Sequence, residues 1–297
     1  MMLSRIAESL FWIGRYLERA DDTARLLDVQ LQVLVEDPGV DEGPWSARLL
    51  DVMGVAEDVQ EFTLARVLDV LAYDTESGHS IASAVDRARE NARGARETLS
   101  TEMWAAINTL WQGLTVARLR RAPEFFGWVQ GRAALIAGVA DSTMTRDEGW
   151  QFFELGRRIE RVDMTARLLA SASLSSGAQL AWPTTLRGCG AHEAFLRAYR
   201  GMETDDDAVE FLLLDRWFPR SIVFSLLRAE RALGEMEVRG QRAGFGDEAR
   251  RLLGRARTEI EYRPLPDIIA DLPAEMEALQ QTCTDASEAI SARYFAR

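Results

Sequence analysis

Eighteen residues from Leu10 to Leu27 recur without a gap 142 positions later, from Phe152 to Leu169, and 11 of the 18 are identical. The shared positions are not a generic apolar pattern. They include Gly14/Gly156, Arg15/Arg157, Glu18/Glu160, Arg19/Arg161, Asp21/Asp163 and Arg25/Arg167, so both copies read Gly-Arg-x-x-Glu-Arg. A second, weaker correspondence sits at an offset of 141: Asp74…Ser80-Ile81 matches Asp215…Ser221-Ile222, each ahead of an Arg-rich stretch. Two matches at nearly one spacing predict internal duplication. The expected fold is an all-α multi-helix bundle of two related helical halves, 1–145 and 146–297. Each half carries one Gly-Arg-x-x-Glu-Arg helix, and together they make one compact domain.

Periodicity supports helices throughout. Leu10, Ile13, Leu17, Ala20, Ala24, Leu27, Leu31 and Leu34 alternate by three and four, one apolar stripe on a helix over about 4–35. Strand-like alternation is absent, and all eight prolines fall at plausible helix edges. Further helices are expected over about 44–73 (with Gly54 a break), 78–99, 101–121, 123–144, 148–173, 192–200, 206–215, 219–239, 248–261 and 266–292, the last bending at Pro273. The small, apolar 123–144 segment is expected to be central. Residues 173–190, rich in Ser, Gly and Thr, read as a loop.

One residue round from the apolar stripe lies a second: Phe11, Gly14, Glu18, Asp21 and Arg25, copied as Phe153, Gly156, Glu160, Asp163 and Arg167. A glycine inside a helix costs about 1 kcal/mol against alanine. Its recurrence in register predicts that another backbone packs closely there. The charges beside it are then partly buried and must be paired. Arg15–Glu18 and Asp21–Arg25 have in-helix spacing for pairs, while Arg19 and Arg161 point toward other helices. Two readings stay open. One is an ionic lock holding long helices in register. The other is a cleft where the Arg forks grip carboxylate or phosphate, with Glu18 or Glu160 as the proton carrier. A further candidate face holds Arg89, Glu90, Asn91 and Arg93, flanked by Arg87 and Arg96; it is either solvated or anion-binding.

Several classes are excluded or disfavoured. Glu18, Asp21, Glu160 and Asp163 supply four carboxylates, but a di-iron bundle wants Glu-x-x-His pairs, and His79 and His192, the two histidines, lack that spacing. No metal and no other cofactor is expected. The basic residues are all Arg, with no Lys, so Schiff-base lysine chemistry and a standard P-loop are out. A net charge of −12 argues against nucleic acid or anionic lipid as partner. Cys189 and Cys283 form no CxxC pair, which suggests a reducing compartment. The longest apolar run, 133–140, falls short of the roughly 20 residues a membrane span requires. The expected location is the cytoplasm. No Ser, Cys or His is placed as a nucleophile with a base, so no hydrolase signature is present.

The repeated motifs, read with Leu3-Ser4-Arg5, Ala7-Glu8, Ala88-Arg89-Glu90-Asn91-Ala92-Arg93, Ser100…Glu102…Trp104…Asn108 and Phe218-Pro219-Arg220-Ser221, resemble the bacterial alpha-E domain family over nearly the whole chain. That resemblance implies an all-helical fold with a Glu-Arg motif. It also implies a setting beside a circularly permuted ATP-grasp ligase, with a transglutaminase-like peptidase and sometimes a proteasome-like hydrolase. The system so implied makes or modifies peptides or amide bonds. The expected role is a helical accessory or binding subunit that works with the ligase and holds its substrate. The alternatives are an enzyme using the Glu/Arg cleft itself, or a purely structural helical dimer; a homo-oligomer is among the expected partners.

Overall fold

The computed structural model describes residues 2–55, 62–174, 181–200, 204–237, 244 and 246–296. Fourteen α-helices run through the described residues, and no strand occurs among them. No described helix is long and apolar enough to cross a membrane. The chain divides into two compact units, one of Met1–Arg15 with Thr145–Arg297, the other of Tyr16–Met144.

In the first unit, α7 (Glu148–Leu174) packs most extensively against α11 (Ile222–Met236) and α14 (Leu272–Ile290). Helix α12 (Glu248–Tyr262) lies against both α11 and α14, completing a four-helix cluster. Short helices α8 (Ala181–Gly188), α9 (His192–Tyr199) and α10 (Asp205–Leu214) flank it. Asp247 caps α12 through the Arg250 amide, and Thr204 with Asp207 forms a capping box on α10. A π-turn at Ser291–Phe295 follows α14. It lays Phe295 against Phe11 and Phe152, while the Tyr294 hydroxyl donates to buried Asp247 at 2.5 Å.

The second unit holds the remainder of α1 (Ser4–Glu36), then α2 (Glu42–Val52), α3 (Leu64–Leu68), α4 (Ile81–Gly94), α5 (Thr101–Ala117) and α6 (Ala122–Thr143). Helix α5 packs between α4 and α6. Ser80 and Ser100 cap α4 and α5 by accepting from the amides of Ser83 and Met103.

The boundaries of α1 and α7 match the expected ones within a residue or so. Elsewhere the chain is more broken. The helix expected over 44–73 ends at Val52, because Gly54 adopts a φ of +73° that a helix cannot contain. After residues 56–61, outside the described set, the chain resumes as α3 and a π-turn at Asp69–Tyr73. Helix α6 is not central: Ala134, Leu135 and Gly138 are exposed, and one face (Phe125, Phe126, Val129, Ile136, Ala140) is buried. The expected loop over 173–190 is helical from Ala181, where Trp182 and Leu186 are buried on one face; residues 175–180 lie outside the described set. The end placed near residue 239 lies outside it too, with α11 closing at Met236. Pro273 does not bend one helix. It sits in the first turn of α14, and α13 (Leu265–Ile269) is separate.

Candidate functional site

Within the first unit, α1 and α7 approach each other closely at their matched glycines. A Cβ on Gly14 would sit 2.2 Å from the Phe153 carbonyl oxygen, and one on Gly156 would sit 2.0 Å from that of Phe11. Each glycine therefore admits the other helix's backbone, and no larger residue fits at either place. This is the close packing the repeated glycines predict, and the helices they admit are one another's.

Ionic groups ring the crossing. Arg15 Nε donates to Glu160 Oε2 at 2.6 Å, and its Nη1 donates to Ser287 Oγ on α14 at 2.8 Å. Ser287 in turn donates to the Cys283 carbonyl at 2.7 Å. Arg15 is 9% exposed and Glu160 2%. Arg15 thus bonds across to the other twin as well as standing one turn from Glu18. Burial pushes the Cys283 thiol well above the usual range. Asp163 and Glu160 add to that, and Arg15 and Arg167 only partly oppose it. A thiol so held stays protonated and is no nucleophile.

On the next turn Arg161 is 6% exposed and donates from Nη1 to the Pro219 carbonyl at 3.0 Å. Thr165 donates to the Arg220 carbonyl at 3.2 Å. These two residues grip the Phe218-Pro219-Arg220-Ser221 turn that leads into α11, so Arg161 does bridge to another element. Asp163 accepts from Arg167 Nε at 2.9 Å, and the twin pair Asp21–Arg25 closes at 3.1 Å. The same i,i+4 pair forms in both copies.

The repeat pattern misses Glu154, although its i+3 and i+4 neighbours are both Arg. It accepts from Arg157 Nη1 at 2.8 Å and from Arg158 Nε and Nη2 at 3.0 and 2.8 Å. Burial alone would raise its pKa. Arg158, Arg157 and Arg161 outweigh that and hold the carboxyl below its ordinary range. The 10–27 segment has Trp12 and Tyr16 where the 152–169 segment has Glu154 and Arg158, so the two matched segments differ here, one aromatic and the other ionic.

In the second unit, Glu18, Asp21 and Asp22 are all buried, with one carboxylate oxygen each lying within 4.8 Å of the others. Among the described residues, these three are the acids close enough together to share a cation. Arg25 already supplies Asp21 with one positive charge. Arg19 lies 5.8 Å from the Tyr16 ring and Arg87 5.9 Å from it.

The Arg-rich stretch of α4 and of the turn that follows it rests on indoles. Arg89 lies over Trp111 at 4.4 Å and Arg96 over Trp104 at 5.4 Å, both on α5. Glu90 pairs with Arg89 and with Arg93 Nη2, the latter at 2.8 Å. Asn91 donates within its helix to the Arg87 carbonyl. Trp111 Nε1 donates to Asp86 at 3.0 Å. This face serves packing between α4 and α5 as well as solvent. His79 lies in the turn before α4, and His192 opens α9.

Glu18, Glu160 and Arg161 of the two Glu-Arg motifs are buried, and Arg19 is half-buried. The Alpha-E family, described as a predicted alpha-helical domain with a conserved ER motif, matches residues 2–295. The chain belongs to the Alpha-E family. Among relatives of this Alpha-E chain are an uncharacterized protein of Mycobacterium bovis and one of Mycobacterium tuberculosis strain CDC 1551, each 26% identical over 262 residues. The match covers 78% of this chain and 30% of each relative, so the chain spans about a third of their length. No solved structure matches.

Proposed function

We propose that this Alpha-E chain is a helical accessory subunit of a system that makes or modifies amide bonds, docking on an ATP-grasp ligase and helping to hold its peptide or amino-acid substrate. A transglutaminase-like peptidase is a second proposed partner. The observation that carries the non-catalytic half of this reading is the Arg15–Glu160 pair. Both groups are buried and bonded inside the protein, which leaves Glu160 poorly placed to exchange protons with a substrate. The greater length of the relatives also fits a module that works joined to, or beside, other chain.

The same reading includes an ancestral doubling into halves 1–145 and 146–297. Three likenesses support it: the reciprocal glycine crossing, the twin Asp–Arg pairs, and a serine turn present twice. In that turn Ser80 donates to the Asp74 carbonyl and accepts from Ser83, as Ser221 donates to that of Asp215 and accepts from Phe224.

The test is to express the protein together with an ATP-grasp ligase from the same genome. Co-purification and a ligase rate that falls without this chain support the reading. Full ligase activity in its absence, or turnover by the purified chain alone that is lost in Glu18→Gln or Glu160→Gln, overturns it.

A further inference from the structure

The first unit carries an open cleft of about 600 Å³ on the α9 side, away from the glycine crossing in sequence and in residues. Its volume suits a ligand of one to three residues. Small residues four apart on and before α9, Gly190, Ala194 and Ala198, line it together with Phe211 and Phe218. Those two rings pack with centroids 5.0 Å apart. At its edge stands Trp217, 88% exposed.

Trp217 does not hang on a loose loop. Asp215 Oδ1 accepts from the amides of Trp217 and Phe218 at 2.8 and 2.6 Å, and Ser221 fastens the Asp215 carbonyl. The matching turn in the second unit is tied the same way. There Asp74 Oδ1 accepts from Glu76, the residue that corresponds to Trp217, at 2.8 Å. The turn therefore forms without an aromatic at that position. The exposed indole of Trp217 is thus not required by the turn that carries it, and it lines the cleft.

Arg197, on α9, also lines the cleft. It takes part in none of the ion pairs formed among the described residues, so its fork is available to an anion. Two carboxylates line the same cleft, Glu193 one turn earlier and Asp215, whose Oδ1 is already occupied by the Trp217 and Phe218 amides.

We infer that this cleft binds an aromatic residue bearing a free α-carboxylate, with the ring against Trp217 and the carboxylate on Arg197. The chemistry is shared by two sources, the C-terminal residue of a peptide and the free aromatic amino acid. In the second, Glu193 would take the ammonium. The inference does not rest on the ligase reading and can stand or fall separately.

The experiment is calorimetric titration of the purified chain with N-acetyl-glycyl-phenylalanine, its C-terminal amide, and free phenylalanine. Saturable binding of the acid is expected, weaker by about tenfold or more for the amide, and for the acid in Trp217→Ala and in Arg197→Gln. Both side chains are exposed, and thermal melting by circular dichroism checks that each variant folds. Preference for the acetylated peptide assigns the site to chain ends; preference for free phenylalanine assigns it to the amino acid. No binding up to ~10 mM, equal binding of acid and amide, or binding that both substitutions leave intact overturns the inference.

Discussion

Gly14 and Gly156 face each other's helices, each with a carbonyl oxygen of the opposite helix where its Cβ would be. Helix propensity alone favours alanine at both positions by about 1 kcal/mol. The clash, at 2.2 and 2.0 Å from main-chain atoms that cannot swing aside, outweighs that gain. Gly14→Ala and Gly156→Ala are each expected to destabilise the fold by about 3 kcal/mol. Gly131→Ala on α6, where a Cβ meets nothing within 4 Å, is expected to stabilise it by about 0.5–1 kcal/mol. Urea unfolding of the three variants checks the opposite signs.

The acid limb of stability belongs in part to Glu154. Its folded pKa is depressed, so the unfolded chain takes up the proton first. Its contribution is fully present above the ordinary value of 4.5 and is lost as pH falls from there through the folded pKa. Glu154→Gln is expected to flatten the loss of stability between neutral pH and the acid range. Unfolding free energies measured against pH in both proteins test this; parallel curves would count against the assignment.

Ser80 and Ser221 are both fully buried, each fastening an aspartate carbonyl and capping a helix. Alanine at either should cost about 1–2 kcal/mol through the lost cap. Thermal unfolding should show similar losses for the two, despite their lying in different units.

The long helices and the twin glycines are legible in the sequence because their signals are local: one unbroken apolar stripe, and a residue whose only advantage inside a helix is its lack of a side chain. The breaks are less so. Gly54 is visible as a weak point, but the left-handed backbone that ends α2 there goes with the burial of Val55, the next residue, in the core. Residues 181–188 read as loop because Thr184, Thr185 and Gly188 have poor helix propensity, which the burial of Trp182 and Leu186 overrides. Composition makes α6 look central; its alanines and glycines are spread around it, so only one face is buried. Spacing matches Arg15 to Glu18, whereas its bond to Glu160 joins residues 145 apart in sequence. Glu154 is hidden from a comparison of identical positions, because 154 is where the two copies differ.

Removing one member of the Arg15–Glu160 pair strands the other in the interior. Glu160→Gln is expected to cost about 3 kcal/mol, whereas Asp163→Asn, at a more open pair, should cost less than about 1 kcal/mol. A double-mutant cycle with Arg15→Met gives the coupling.

The most direct measurement replaces the buried pair as a whole. Arg15→Met with Glu160→Leu keeps volume at the crossing and removes both charges. Its unfolding free energy and its co-purification with the proposed ATP-grasp partner are then compared with those of the unaltered chain. If the pair serves the fold, stability stays near that of the parent and association is retained. A double variant that folds as stably as the parent yet no longer associates with the ligase or supports its turnover would contradict this and make the pair itself the working site.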